Sequence, residues 1–224
     1  TEEPLGALFY HIWNHDLKKE EAQKGILVLD FGGGTFDIAY LKDFQTRALW
    51  GSQNMGGYLF DTLFYEMFLE QNPQSIDYIE KNNLENYLQG YLIKSIKEKY
   101  SDIINQDNFG GMNEIISIGS QVLGNFTLPS EEEFMKRVKN YFNFPSLSNI
   151  LNKEIIRQLF CSQSDIDLES CLTKIILEGL EKYSISRDCI SVIILTGGSS
   201  KWKFFNKIVK ENFPFTKIIS SLDP

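Results

Sequence analysis

The sequence predicts an α/β protein: a mixed sheet built in the order β-β-β-α-β-α-β, with an α+β subdomain inserted between the third strand and the next core helix. Three observations carry this. Strand signals at Ile26–Leu29, Ile38–Leu41 and Arg47–Trp50 lie too close together for intervening helices, so they must form antiparallel hairpins. Late in the chain, helical and apolar strand-like runs alternate, which is the pattern of βα crossovers covering a sheet. Between these parts, residues 52–162 follow a different and mainly helical periodicity.

Each element follows from its local pattern. Leu5, Leu8, Phe9, Ile12 and Trp13 have helical spacing, and Pro4 suits a first turn, where its missing N–H is not needed. A helix is therefore expected from Pro4 to about His15. Ile26–Leu29 is wholly apolar, Ile38–Leu41 follows a glycine turn, and Lys42–Gln45 is a polar turn before the third strand. After Gly56-Gly57 the period becomes helical: Phe60, Leu63, Phe64, Met67 and Phe68 line one face of a helix beginning near Phe60-Asp61 and ended by Asn72-Pro73. A longer helix is expected over about 84–104, and strand-like runs at Ile115–Ile118 and Gln121–Thr127. Ser130 and Glu133 have capping-box spacing, so a helix should start there and run toward Tyr141, with another over about 147–160. A helix carrying Cys171, Leu172, Ile175, Ile176 and Leu180 leads to the strand Ser191–Leu195. Gly197-Gly198-Ser199 then opens a helix with Phe204, Phe205, Ile208 and Val209. Pro214 ends that helix ahead of a last strand, Lys217–Ser220.

Composition excludes several classes of function. Of 224 residues, 42% are hydrophobic and 23% charged, which is too apolar for intrinsic disorder. The net charge of −8 repels phosphate backbones, and no local basic patch compensates, so general nucleic-acid binding is disfavoured. The apolar run at Ile190–Leu195 is far too short to span a bilayer. Three cysteines, Cys161, Cys171 and Cys189, cannot all pair, and no signal peptide is evident, so a reducing cytoplasm is the expected location. The chain starts at Thr1 and stops at Pro224 directly after an apolar segment, and reads as a piece of something longer.

Seven of the sixteen glycines fall between Gly25 and Gly57, and the strongest chemical signal lies among them: Asp30-Phe31-Gly32-Gly33-Gly34-Thr35-Phe36-Asp37. Successive glycines allow left-handed φ and let a ligand approach the backbone, and their N–H groups can converge on an anion. A strand follows, so this is no Rossmann turn, and it lacks the Lys-Ser/Thr of a Walker loop. A phosphate here would face Asp30 and Asp37 with no basic residue to offset them. A divalent cation between them resolves the conflict: Mg²⁺ held through carboxylates, water and substrate phosphate, with Thr35 adding a hydroxyl. A structural glycine hairpin with acidic flanks is the alternative. Gly56-Gly57 and Gly197-Gly198-Ser199 also place bare backbone near helix starts, where phosphate or ribose oxygens are favoured, and the three sites together suggest one nucleotide cleft.

With these motifs in view, the chain resembles the second lobe of the ATPase domain of the DnaK-type, seventy-kilodalton heat-shock chaperones, within the actin-like (ribonuclease-H-like) ATPases. Asp30–Asp37 is similar to the family's second phosphate loop, and Gly56-Gly57-Tyr58-Leu59-Phe60-Asp61 to its Gly-Gly-x-x-Phe-Asp element. Gly197-Gly198-Ser199 resembles its adenosine loop, and Lys97 and Ser101 fall where its nucleoside-contacting helix has Lys and Ser. The resemblance implies residues 1–22 as an interlobe connecting helix starting at Glu3-Pro4, residues 23–51 and 163–224 as the core of the lobe, and 52–162 as the inserted subdomain. It further implies ATP or ADP with Mg²⁺ as cofactors. Asp30 and Asp37 would position the metal through water, and Gly32, Gly33, Gly34 and Thr35 would contact phosphate. Gly56, Gly57, Lys97, Ser101, Gly197, Gly198, Ser199 and Lys201 would surround the nucleoside.

The sequence departs from the family around adenosine. Lys94 replaces a Glu, Glu98 an Arg, Lys201 the adenine-packing Arg, and Lys203 a Pro, next to an unusual Trp202; Arg-to-Lys loses the planar stacking face. Elsewhere, His11 and His15 stand one helical turn apart, but without an obvious third ligand they read as solvated, with Asp16 facing another side. The cysteines read as small buried side chains. Glu131-Glu132-Glu133 suits a helix N-terminus, and Lys94, Lys97 and Lys99 read as a solvated face except at Lys97. The leading expectation is a nucleotide-binding chaperone lobe, incomplete for hydrolysis alone. It would lack a first lobe that brings its own phosphate loop and the catalytic lysine. A peptide-binding domain and a co-chaperone or nucleotide-exchange factor are implied partners. The rival is a chaperone-like docking or scaffold module with degenerate nucleotide binding. A sugar or acetate kinase of the same superfold ranks below both, for want of an acceptor site.

Overall fold

The computed structural model describes residues 3–96, 112–140 and 168–220. The chain divides into two compact units. The described residues of the first are 3–57 and 169–220; those of the second are 58–96, 112–140 and 168.

The first unit is a five-stranded mixed sheet. It contains α1 (Glu3–Trp13), α2 (Lys19–Ala22), β1 (Gly25–Phe31), β2 (Phe36–Lys42), β3 (Gln45–Ser52), most of α8 (Leu168–Lys182), β4 (Ile190–Thr196), α9 (Lys203–Asn212) and β5 (Lys217–Ser220). Helices α3 to α7, apart from the first residue of α3, Gly57, belong to the second unit and are given below. The strand order is β3-β2-β1-β4-β5, with β1–β2 and β2–β3 antiparallel and β1–β4 and β4–β5 parallel. This is the expected mixed sheet; β1 to β4 run one or two residues beyond the stretches that marked them, and β5 matches its stretch. The β2–β3 turn holds Asp43 at φ 53° and Phe44 at φ 58°, the two left-handed residues of a tight hairpin. Phe44 then stacks on Phe9 of α1, ring centroids 6.2 Å apart.

Both faces of the sheet are covered, which is why β1 reads as continuous apolar residues rather than alternating ones. On one face Ile26, Val28, Ala39, Leu41, Val192 and Ile194 pack with Leu8 of α1 and Ala22 of α2. Phe31, Phe36 and Phe205 form a fully buried aromatic cluster with centroids 4.9–5.5 Å apart. At the sheet's edge Trp50 donates its indole N–H to the Ile175 carbonyl at 3.1 Å.

The described residues of the second unit form helices, not the expected α+β mixture. They are α3 (Gly57–Gln71), α4 (Ile76–Lys81), α5 (Glu85–Tyr87) continuing through a π-turn at Leu88–Ile93, α6 (Met112–Leu123) and α7 (Glu131–Lys139). The predicted strands at 115–118 and 121–127 are therefore corrected: the first and the start of the second lie in α6. Ile115, Ile118 and Val122 recur at helical spacing, and the short apolar runs there carry no period-two signal strong enough to decide otherwise. Helix α3 starts at Gly57, three residues before the expected Phe60, because the two glycines form its entry rather than a turn ahead of it. Asn72 ends α3 as expected; its amide donates to the carbonyls of Phe68 (2.7 Å) and Thr127 (2.8 Å) and accepts from the Thr127 N–H (2.7 Å). The Ser130–Glu133 capping box is present. The helix expected over 147–160, and the end of the one over 84–104, lie outside the described residues.

Gly179 of α8 tests the packing around Trp50. An Ala there has the better helix propensity by about 1 kcal/mol, yet its Cβ would run into the Trp50 indole. Displacing a stiff, hydrogen-bonded ring outweighs that gain, so Gly179→Ala is expected to lower unfolding free energy by about 1–3 kcal/mol, measured by denaturant titration.

Candidate functional site

The antiparallel β1–β2 register pairs Asp30 with Asp37, and the parallel β1–β4 register pairs Asp30 with Thr196. Alternation along β1 places Asp30 on the face of Ile26 and Val28, the face that α1 covers. Glu3, in the first turn of α1, joins them at a cavity of about 470 Å³ whose lining includes Glu3, Asp30, Asp37, Trp50, Ser52 and Thr196. The lining carries three carboxylates and no basic side chain. Burial first, then the negative charges of Glu3 and Asp37, push the Asp30 carboxyl above its ordinary pKa. Thr35 donates its hydroxyl to Asp37 Oδ2 at 2.6 Å, so the expected Thr35 hydroxyl is spent on steadying a carboxylate in this structure.

The β1–β2 turn closes with the Gly32 N–H donating to the Thr35 carbonyl at 3.0 Å. None of Gly32, Gly33 and Gly34 has left-handed φ, so the conformational freedom that three glycines allow is not used here. Crowding does not demand it either: a Cβ on Gly33 or Gly34 would meet nothing within 4 Å. Neither backbone strain nor the chain's own atoms explain these two glycines. Both positions face open space.

The three glycine sites converge. Gly57 N–H (2.9 Å) and Ser199 Oγ (3.0 Å) both donate to the Gly32 carbonyl. A Cβ on Gly57 would lie 2.5 Å from Ser199 Oγ, and one on Gly56 would lie 2.7 Å from the Gly34 carbonyl oxygen and Thr35 N. Gly197 is left-handed at φ 83°, and a Cβ there would lie 2.5 Å from Asp30 Oδ1. Gly198 opens a 3-10 turn, Gly198–Lys201, and α9 begins only at Lys203; the expected direct strand-to-helix turn is corrected, because Trp202 is extended and its buried ring anchors the chain between the two. Lys201 ends that 3-10 turn, half-buried. Lys97 and Ser101 lie outside the described residues. Glu3 and Thr196 were not among the candidates read from the sequence; an acid directly before a first-turn proline was the one available signal for Glu3.

Other candidates change as well. His11 is buried, not solvated: its Nδ1 lies 3.0 Å from Asp16 Oδ2 and its Nε2 has no hydrogen-bond partner among the described residues. The left-handed turn at His15 folds Asp16 back toward His11, which helical extrapolation cannot foresee. Cys171 is buried as expected, whereas Cys189 is exposed, because it sits in a 3-10 turn ahead of β4 rather than in the strand. Among the described residues there is no group of three or more His, Cys, Asp or Glu side chains that could hold a metal ion, and no helix long and apolar enough to cross a membrane.

Compared with known families, residues 8–110 match the family model described as Hsp70 protein. Over that stretch, just under half of the chain, the sequence is similar to the Hsp70 family. The match takes in the glycine hairpin and its two carboxylates, all of β1–β3, and Gly56-Gly57. The mixed five-stranded sheet fits the actin-like ATPase fold of that family, and the match supports a chaperone ATPase-domain segment.

Two outcomes check this geometry. Gly56→Ala should cost about 2–3 kcal/mol of stability by pushing the Gly34–Thr35 backbone away, whereas Gly33→Ala should stay within about 0.5–1 kcal/mol, both read by thermal melting. The raised Asp30 pKa means the native state holds its proton at higher pH than the unfolded chain does. Stability conferred by that proton is lost as pH rises from the ordinary Asp range through the folded pKa. Asp30→Asn should accordingly raise the melting midpoint at neutral pH, with the gain over wild type shrinking as pH falls toward about 4.

Proposed function

We propose that this chain is the nucleotide-binding second lobe of a cytoplasmic Hsp70-type chaperone ATPase, holding the phosphates of Mg–ATP or Mg–ADP at the Gly32–Thr35 turn. The observation that carries the reading is the pair Gly33 and Gly34, which neither φ nor crowding requires to be glycine, beside two cross-strand carboxylates with no basic neighbour in the cavity. A bare phosphate would be repelled there. The donor set suits Mg²⁺, which takes oxygen ligands and keeps several waters while bridging one or two carboxylates to phosphate. Asp30 and Asp37 would hold the ion, and when bound it would neutralise phosphate charge. Thr35 orients Asp37 through its 2.6 Å hydrogen bond, and Gly56, Gly57, Gly197, Gly198, Ser199 and Lys201 would form the nucleoside side of the site, together with Lys97 and Ser101.

The organisation follows from the same reading: residues 1–22 as an interlobe helix, 23–51 and 163–224 as the lobe's core, and 52–162 as an inserted subdomain. Phosphoryl transfer rests on positioning and charge neutralisation from several directions. This chain supplies one glycine hairpin and one acidic wall, so a complementary lobe would provide the rest, and the chain alone should show no steady phosphate release. A peptide-binding domain and a nucleotide-exchange factor would be the partners of the whole protein. The second reading, a docking module with degenerate nucleotide binding, is favoured by Lys201 in place of a stacking Arg.

Calorimetric titration of the full-length protein carrying this chain with Mg–ADP separates the two. Saturable heat is expected, weakened about tenfold or more by Gly33→Ala at unchanged melting temperature, because a methyl group would occupy the approach to the turn's amides. Absence of heat up to millimolar nucleotide would overturn the proposal in favour of docking.

A further inference from the structure

The second unit contains a cavity of about 340 Å³, lined by Tyr65 and Leu69 of α3, Ile76, Ile79 and Glu80 of α4, and the turn into α5. It is separate from the glycine turns, and its chemistry is different. Leu69, Ile76 and Ile79 give it an apolar floor, while Glu80, Glu85, Asn83 and Asn86 form an exposed rim. The rim is shaped by Asn83, whose left-handed φ of 53° ends α4 and returns the chain into α5. Neither Glu80 nor Glu85 meets a basic side chain among the described residues.

Tyr65 supplies an independent observation. Its side chain is only 5% exposed, it lines the cavity, and its hydroxyl has no hydrogen-bond partner among the described residues. The ring is buried, while the hydroxyl is left to bond to what enters the cavity. Burial first, then Glu85 and Glu80, push its pKa up to about 12, so the hydroxyl stays neutral and close to both carboxylates. The ligand that satisfies this arrangement must be donor-rich and positively charged at one end, with an aliphatic stem for the Leu69–Ile76–Ile79 floor. An anion would be repelled by two carboxylates, and a neutral apolar group would leave the Tyr65 oxygen unsatisfied.

We propose that this cavity binds an alkylammonium or alkylguanidinium group, with Glu80 and Glu85 flanking the cation and the Tyr65 hydroxyl oxygen accepting one of its hydrogen bonds. The group could arrive on a free polyamine-like molecule or on a basic side chain of a polypeptide; the recognition chemistry is the same.

The test is a titration of the full chain, isotope-labelled at isoleucine methyl groups, with agmatine and in parallel with the peptide acetyl-Gly-Arg-Gly-amide. The Ile76 and Ile79 methyl signals should shift saturably. Glu80→Gln with Glu85→Gln should weaken binding about fivefold, as two exposed ion pairs allow, and Tyr65→Phe about threefold. Tyr65→Phe keeps the ring and removes a hydroxyl that bonds to nothing, so its melting temperature should stay at the wild-type value and loss of binding cannot be ascribed to unfolding. A charge-matched control in the first unit, Glu20→Gln with Asp188→Asn, should bind like wild type. Tighter binding of agmatine assigns the site to a free cation, and tighter binding of the peptide to a polypeptide side chain; both support the proposal. Absence of saturable shifts, undiminished binding in the Glu80/Glu85 variant, or equal weakening in the control overturns it.

Discussion

The candidate site depends on one acceptor, the carbonyl oxygen of Gly32. It receives the Gly57 N–H and the Ser199 hydroxyl, and through them binds the β1–β2 turn to the start of α3 and to the turn after β4. Each hydrogen bond is worth only about 0.5–1.5 kcal/mol net. Their structural effect is larger than that figure, because they join three segments far apart in sequence at a single atom. Such approach is possible only where side chains are absent, and the Cβ positions of Gly56, Gly57 and Gly197 show why larger residues are excluded. Gly33 and Gly34 are different. They face open space, so no contact within the chain requires their smallness.

Electrostatics at the same place works against the isolated fold. The β1–β2 register sets Asp30 opposite Asp37, and like charges directly opposite one another on a sheet are unfavourable. Glu3 adds a third carboxylate, and the cavity has no cation of its own. Sites that bind cations or metal-bridged phosphates carry this kind of local instability, since the charge that would relieve it belongs to the ligand. The Thr35–Asp37 hydrogen bond and the covered sheet beneath hold the carboxylates in place despite that cost. The sheet can therefore be stable while its acidic cavity remains uncompensated in charge.

Much of this was legible along the chain. The order of strands and helices around the sheet follows from local periodicity. Asp30, Gly32–Gly34, Thr35 and Asp37 stand out because they are contiguous and because an acidic glycine turn without a basic residue has few chemical uses. What local patterns missed has physical causes. Residues 112–123 are a helix although short apolar runs there could equally be strands, since periodicity over a few residues does not separate the two. His11 is buried because a left-handed residue at His15 brings Asp16 back to it, and Cys189 is exposed because a 3-10 turn precedes β4.

By itself the sequence determined the α/β class, the acidic glycine turn at Asp30–Asp37 and the likeness to heat-shock ATPases, because these rest on residue type and short spacing. Only the tertiary structure decided that three glycine turns meet at one carbonyl, that Glu3 shares a cavity with Asp30 and Asp37, and that Gly33 and Gly34 face open space without left-handed φ. Those properties come from strand register and from the approach of segments more than a hundred residues apart, and no local pattern encodes either.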